Sequence, residues 1–138
     1  MSTKNNKLSV ENVMMSLQDF PIIAQNTIFK ESLEKMISFN IGIACIINKE
    51  EELLGVLTDG DIRRKLIKVQ KPFSALFIDD ALIHAIRSPI TIHPNDSLEK
   101  AVALMEEKQI WDIPVVDENS KLLGLLHLHR AIKIMLKL

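Results

Sequence analysis

The chain has 138 residues, enough for one compact domain or for two small fused repeats. Hydrophobic residues make up 47% and charged residues 25%, so it can build a core and remain soluble. The formal net charge is −1 with Lys and Arg dispersed, which removes the electrostatic footprint of a nucleic-acid binder, and no apolar stretch approaches the ~20 residues of a membrane span.

Residues 1–7 are polar and read as a disordered lead-in, with no apolar segment after them to suggest secretion. Leu8 to Met15 forms a short helix capped by Ser9, with Val10, Val13 and Met14 on one face. Pro21 to Ala24 is a short extended piece. Asn26 or Thr27 then caps a helix from Ile28 to Phe39, in which Phe29, Leu33, Met36 and Ile37 follow the helical period. Ile41 to Ile47 is a nearly continuous apolar run of strand length, buried on both faces. It holds the one cysteine, Cys45, a buried reduced thiol of the kind found in cytoplasmic proteins. Asn48 to Glu52 is a charged turn, Leu53 to Leu57 returns as a second strand, and a helix runs from Asp59 to about Val69. Pro72 opens a linker.

The same order then recurs. Ile90 to His93 is a short strand, Asn95-Asp96-Ser97 caps a helix from Leu98 to Lys108, and Ile113 to Val116 pairs with Leu122 to Leu126 across a polar turn. A last helix runs from about His129 to Leu136. A single shift of 69 residues carries Gly55 onto Gly124, Leu57 onto Leu126, Met36 onto Met105, Ile41 onto Ile110, Asn26 onto Asn95 and Ile23 onto Ile92. The chain is therefore two tandem copies, residues 8–71 and 81–138, joined by residues 72–80. Each copy offers strand, helix, strand, strand, helix, a mixed α/β arrangement of the α+β type. One copy would leave a sheet face uncovered, so the two are expected to pack about a pseudo-twofold axis, with a ligand cleft where they meet.

The stretch Gly55-Val56-Leu57-Thr58-Asp59-Gly60-Asp61-Ile62-Arg63-Arg64 carries the chemistry. An apolar strand enters a polar turn that becomes the first turn of a helix. Thr58 suits the N-cap with an acid three residues on, and the plain reading is a capping box. Gly60 also admits a ligand close to the backbone, and the amides of a helix start favour an anion. Asp61 can accept from a sugar diol, and Arg63 and Arg64 can balance a phosphate. The like charge of Asp59 opposes phosphate, so it is expected to point away.

This doubled repeat ending in Gly-apolar-apolar-Thr-x-x-Asp resembles a CBS-domain pair, the Bateman module, over about Val10 to Leu136. Val13-Met14, the segment from Gly55 to Arg64, Ile113-Pro114-Val115-Val116-Asp117 and Gly124-Leu125-Leu126-His127-Leu128-His129 are similar to the C-terminal CBS pairs of arabinose-5-phosphate isomerases of the sugar-isomerase type. Related pairs accompany sugar-phosphate nucleotidyltransferases. The resemblance implies a dimeric regulatory module for an adenosine nucleotide or a nucleotide sugar such as CMP-Kdo, acting on a sugar-phosphate isomerase or nucleotidyltransferase partner domain. It implies that Thr58 binds phosphate and Asp61 ribose, with Ile23 and Ala24, and Gly42 and Ala44, bordering base or sugar. Such a module takes its nucleotide as a regulatory ligand, with no cofactor, metal or catalytic residue of its own, and works without nucleic acid or membrane. A dimerisation module whose sites stay empty, or a fragment of either enzyme, is the alternative.

The second copy departs from the motif, with His127 and Arg130 at the positions of Thr58 and Asp61. Arg130 cannot accept a hydrogen bond, so this site is either degenerate or selects an anionic group, to which His127 and His129 would also contribute. His127 and His129 share a strand face, but the third ligand that zinc normally requires is missing. His84 and His93 read as surface or turn residues. Trp111 reads as core or dimer packing rather than a base-stacking platform. No nucleophile with an adjacent base is present, so no catalysis is expected of this chain.

Overall fold

A computed structural model describes residues 8–137; the lead-in expected for residues 1–7 lies outside them. The elements in order are α1 (Val10–Val13), β1 (Ile22–Ala24), α2 (Phe29–Phe39), β2 (Ile43–Ile47), β3 (Leu53–Thr58), α3 (Asp59–Lys68), α4 (Phe73–Phe77), a 3-10 turn (Ala81–His84), α5 (Leu98–Lys108), β4 (Asp112–Val116), β5 (Leu122–His127) and α6 (Leu128–Met135). No helix among the described residues is long and apolar enough to cross a membrane.

The chain divides into two compact units, one of residues 18–89 and the other of residues 1–17 with 90–138. In the first, β1 runs parallel to β2 (Ile23 opposite Ile46), and β2 runs antiparallel to β3 (Ala44 opposite Leu57). Parallel neighbours need a crossover, and α2 supplies it. Its core joins Ile23, Phe29, Met36, Ala44, Ile46, Leu57 and Ile62 to Leu76 and Ala81. Residues 72–80 are therefore more than a linker. Phe73–Phe77 is helical, and Leu76 is 1% exposed because its side chain completes this core.

The second unit repeats the plan in the same register. β4 pairs with β5 from Asp112 opposite His127 to Val116 opposite Leu122, and both hairpins shift register at the same place, after Ile46 and after Val115. Left-handed residues also recur 69 apart, Asn40 and Gln109 (both φ 54°) ending α2 and α5, and Glu51 (φ 67°) and Ser120 (φ 66°) closing the hairpins. One expected strand is lost. Ile90–His93 is reduced to a single parallel bridge, Ile92 with Val115. In the first unit the Cys45 amide donates to the Pro21 carbonyl at 3.0 Å; Pro114 stands at that register, has no N–H, and ends the ladder.

The segment before each repeat belongs to the unit formed by the other. Residues 8–15 serve the second unit as residues 79–86 serve the first. The Val10 amide donates to Asp96 O (2.8 Å) and the Leu98 amide to Leu8 O (2.8 Å); correspondingly, Ala81 donates to Thr27 O (2.8 Å) and Phe29 to Asp79 O (2.7 Å). Met15 bridges Leu125, and Ile86 bridges Val56. These crossings explain the two strand glycines. A Cβ on Gly55 would meet Ile86 O at 2.6 Å, and one on Gly124 would meet Met15 O and Met14 Sδ at 2.7 Å. They also correct the expected cap of α2. Ile28 occupies the N-cap with no side-chain bond, and the first amide is satisfied by Asp79 O instead of Asn26 or Thr27. In α5 the same position is Ser97, whose hydroxyl accepts from the Lys100 amide at 3.1 Å.

Candidate functional site

β3 delivers its last residue, Thr58, as the N-cap of α3. The Thr58 hydroxyl accepts from the Asp61 amide (3.2 Å) and donates to Asp61 Oδ2 (2.6 Å). Arg64, one turn on, donates to Asp61 Oδ1 at 2.7 Å. Thr58, Asp61 and Arg64 thus form one chain of bonds at the helix start. Each carboxylate oxygen of Asp61 keeps acceptor capacity after these bonds, so a diol can still be received there. The guanidinium of Arg64 lies over Gly60, where a Cβ would sit 3.3 Å from Nη2. Glycine at 60 therefore holds open the space the cation occupies. The Asp59 amide donates to Gly42 O (3.0 Å) and the Asp61 amide to Thr58, which leaves the Gly60 amide as the first-turn donor without a protein acceptor. An unsatisfied amide, a hydroxyl and a nearby guanidinium are the components of an anion seat, with a carboxylate beside it.

The other candidates of the first copy are placed differently. Ile23 (4% exposed) and Ala44 (0%) lie inside the core, while Ala24 is exposed at the end of β1. Arg63 is exposed and makes no ion pair among the described residues. Asp59 does not compete with the anion seat. Its carboxylate turns onto Gly42, with Oδ2 2.7 Å from where a Cβ of residue 42 would stand. There it borders a pocket of about 410 Å³ walled by Leu33, Met36 and Ile37 of α2, by Gly42, and by Ile62 of α3. This pocket was not foreseen from the sequence; the paired Gly42 and Asp59 were its only trace.

At the second copy the altered motif is occupied by protein. His127 Nδ1 lies 2.8 Å from Asp112 Oδ1 across the first rung of the β4–β5 hairpin. Arg130 Nε donates to Val13 O at 3.1 Å, tying α6 to the end of α1. His129 is exposed at the start of α6. Trp111 stands where Gly42 stands in the first unit, its carbonyl accepting from the Leu128 amide at 2.8 Å. It is 66% exposed, so core packing is not its role.

His84 is corrected as well. It is 8% exposed, packs 5.1 Å from the Phe29 ring, and its Nε2 lies 3.0 Å from Asp79 Oδ2, with Lys71 Nζ 3.4 Å from the same oxygen. The hydrogen bond from His84, aided by the Lys71 charge, outweighs desolvation and holds the Asp79 carboxyl below its ordinary range. His84 Nδ1 is buried without a partner, which suits a neutral ring donating through Nε2. His93 keeps the expected turn role, its amide donating to Asp96 Oδ2 at 3.0 Å. That bond, with Lys100 nearby, lowers the Asp96 pKa.

The comparisons with known proteins agree with this architecture. An uncharacterized protein of Helicobacter pylori (strain J99) is 34% identical over 126 residues, covering 90% of this chain and 36% of its own length. The arabinose 5-phosphate isomerase KdsD of Francisella tularensis is 26% identical over 130 residues, covering 94% of this chain and 38% of the isomerase. The chain thus spans little more than a third of these relatives. Among solved structures, CBSX2, a CBS-pair protein from Arabidopsis thaliana, in complex with AMP superposes with a TM-score of 0.82 at 24% identity, over 94% of this chain and 96% of that one. The family model of the CBS domain matches twice, at residues 10–68 and 80–137, and the chain belongs to the CBS-domain family as a tandem pair.

Proposed function

We propose that the chain is a regulatory module that binds an adenosine nucleotide or a nucleotide sugar on the first-copy motif, works as a homodimer in the cytoplasm, and controls a sugar-phosphate enzyme. The observation that carries the reading is the helix start itself, where Thr58, the Gly60 amide and Arg64 supply anion contacts and Asp61 supplies acceptors for a ribose. AMP in the CBSX2 complex supports the ligand class, and the KdsD match supports a sugar-phosphate context. In the second copy His127 and Arg130 already bond to Asp112 and Val13, so one nucleotide per chain is the expected stoichiometry.

Calorimetry with AMP, ATP, CMP and nucleotide sugars tests this. Saturable binding at one site is expected, and Asp61→Ala should weaken it by about 1.5–3 kcal/mol, the scale of a hydrogen bond to a charged group. Unchanged affinity in that variant, or two equivalent nucleotides per chain, refutes the assignment. The ligand-free alternative, an interaction module, draws on the Thr58–Asp61–Arg64 chain closing on itself without a ligand. The absence of any thermal shift across the same panel would favour it.

A further inference from the structure

We propose that two copies of this chain associate head to tail, the Trp111 indole of each seated in the α2–α3 pocket of the other. The inference rests on the self-association in the preceding reading and is independent of nucleotide binding.

Knob and hole occupy one register. Gly42 leaves the pocket open in the first unit, whereas the same position in the second unit projects the 66%-exposed indole of Trp111. The pocket wall suits an indole chemically. Leu33, Met36, Ile37 and Ile62 supply apolar contact, and the Asp59 carboxylate at the rim is an acceptor without an ion pair among the described residues. An indole N–H is a donor only and normally finds a partner when it is buried. Charge is complementary too. α6 carries Arg130 and Lys133 beside an exposed His129 and has no acidic residue, so the flank of Trp111 is basic where the pocket rim is acidic.

The flanking positions select the orientation. Ile37 (78% exposed) and Arg63 flank the pocket, and the same register in the second unit holds Glu106 and Ile132 (41% exposed). Joining unlike units lets Ile37 meet Ile132 and Arg63 meet Glu106. Joining like units sets either Ile37 on Arg63 and Glu106 on Ile132, or Arg63 on Arg63 and Glu106 on Glu106. Like-unit joining therefore costs a desolvated charge or a repulsion, which acts against the wrong pairing. A twofold axis makes the favoured contact twice and closes the assembly as a dimer.

Trp111 is the only tryptophan, so its emission reports its own burial. In a dilution series followed by fluorescence and analytical ultracentrifugation, the emission should shift to the red as dimer gives way to monomer. Ile37→Asp leaves Trp111 and the core untouched and should raise the dimer dissociation constant about 30-fold or more, the scale of a hot-spot loss. Orientation is tested by mixing Ile37→Cys with Trp111→Cys under oxidation; Cys45 is fully buried and stays silent. A cross-linked dimer should form in the mixture and in neither variant alone. Cross-linking of Trp111→Cys with itself, a monomer at every concentration, or emission unmoved by dilution overturns the proposal. AMP binding measured on Ile37→Asp tells that failure apart from failure of the nucleotide reading.

Discussion

Replacing Gly55 with alanine tests whether residues 79–86 are an integral part of the first unit. The added Cβ would stand 2.6 Å from Ile86 O and 3.4 Å from Ile86 C, in backbone that cannot rotate away as a side chain can. Relief requires the segment to withdraw from β3. Withdrawal strains the reciprocal pair of bonds there, Val56 N–H to Ile86 O (3.0 Å) and Ile86 N–H to Val56 O (2.9 Å). Each bond is worth about 1 kcal/mol net, and overpacking costs typically 1–3 kcal/mol. Allowing for overlap between these effects, the loss should be about 3 kcal/mol. Gly60→Ala is the control, since its Cβ would meet only the mobile end of Arg64 and should cost under about 1 kcal/mol. Urea denaturation gives the free energy, and hydrogen exchange at the Val56 and Ile86 amides gives the location. A loss below about 1 kcal/mol in Gly55→Ala, with protection at both amides unchanged, would refute the packing argument.

Two further outcomes follow from the geometry. Asp79 has its carboxyl pKa lowered in the folded state, first by the His84 bond, so its stabilisation is present above the unfolded value and is lost as pH falls through the folded one. The urea midpoint should fall as pH drops below about 4, and Asp79→Asn should flatten that fall; an unchanged pH profile in the variant would contradict it. Gln109 ends α5 in the left-handed region, where L side chains are strained, so Gln109→Gly should stabilise by about 0.5–1 kcal/mol in the same denaturation assay. Asn40→Gly should gain less, because asparagine tolerates that region.

The repeat, its register and nearly every element were legible in the sequence because they depend on local signals. Apolar runs of strand length, helical periodicity and an N-cap acting three residues away need no knowledge of distant chain. The Thr58–Asp61 cap belongs to this class, since cap and acid sit in one turn. What tertiary structure decided are pairings between segments far apart in sequence. Residues 79–86 replace a side-chain cap on α2 with the Asp79 carbonyl and bury His84, so Asn26, Thr27 and His84 take roles their own neighbours do not specify. Pro114 is compatible with its strand in sequence, yet its missing N–H ends pairing with a segment more than twenty residues earlier. The pocket arises where two helices diverge beside Gly42, and Trp111 is exposed because α5 and β4 turn it outward at the equivalent place. Side-chain periodicity assigns a residue to a face; only the packed elements determine whether that face is covered.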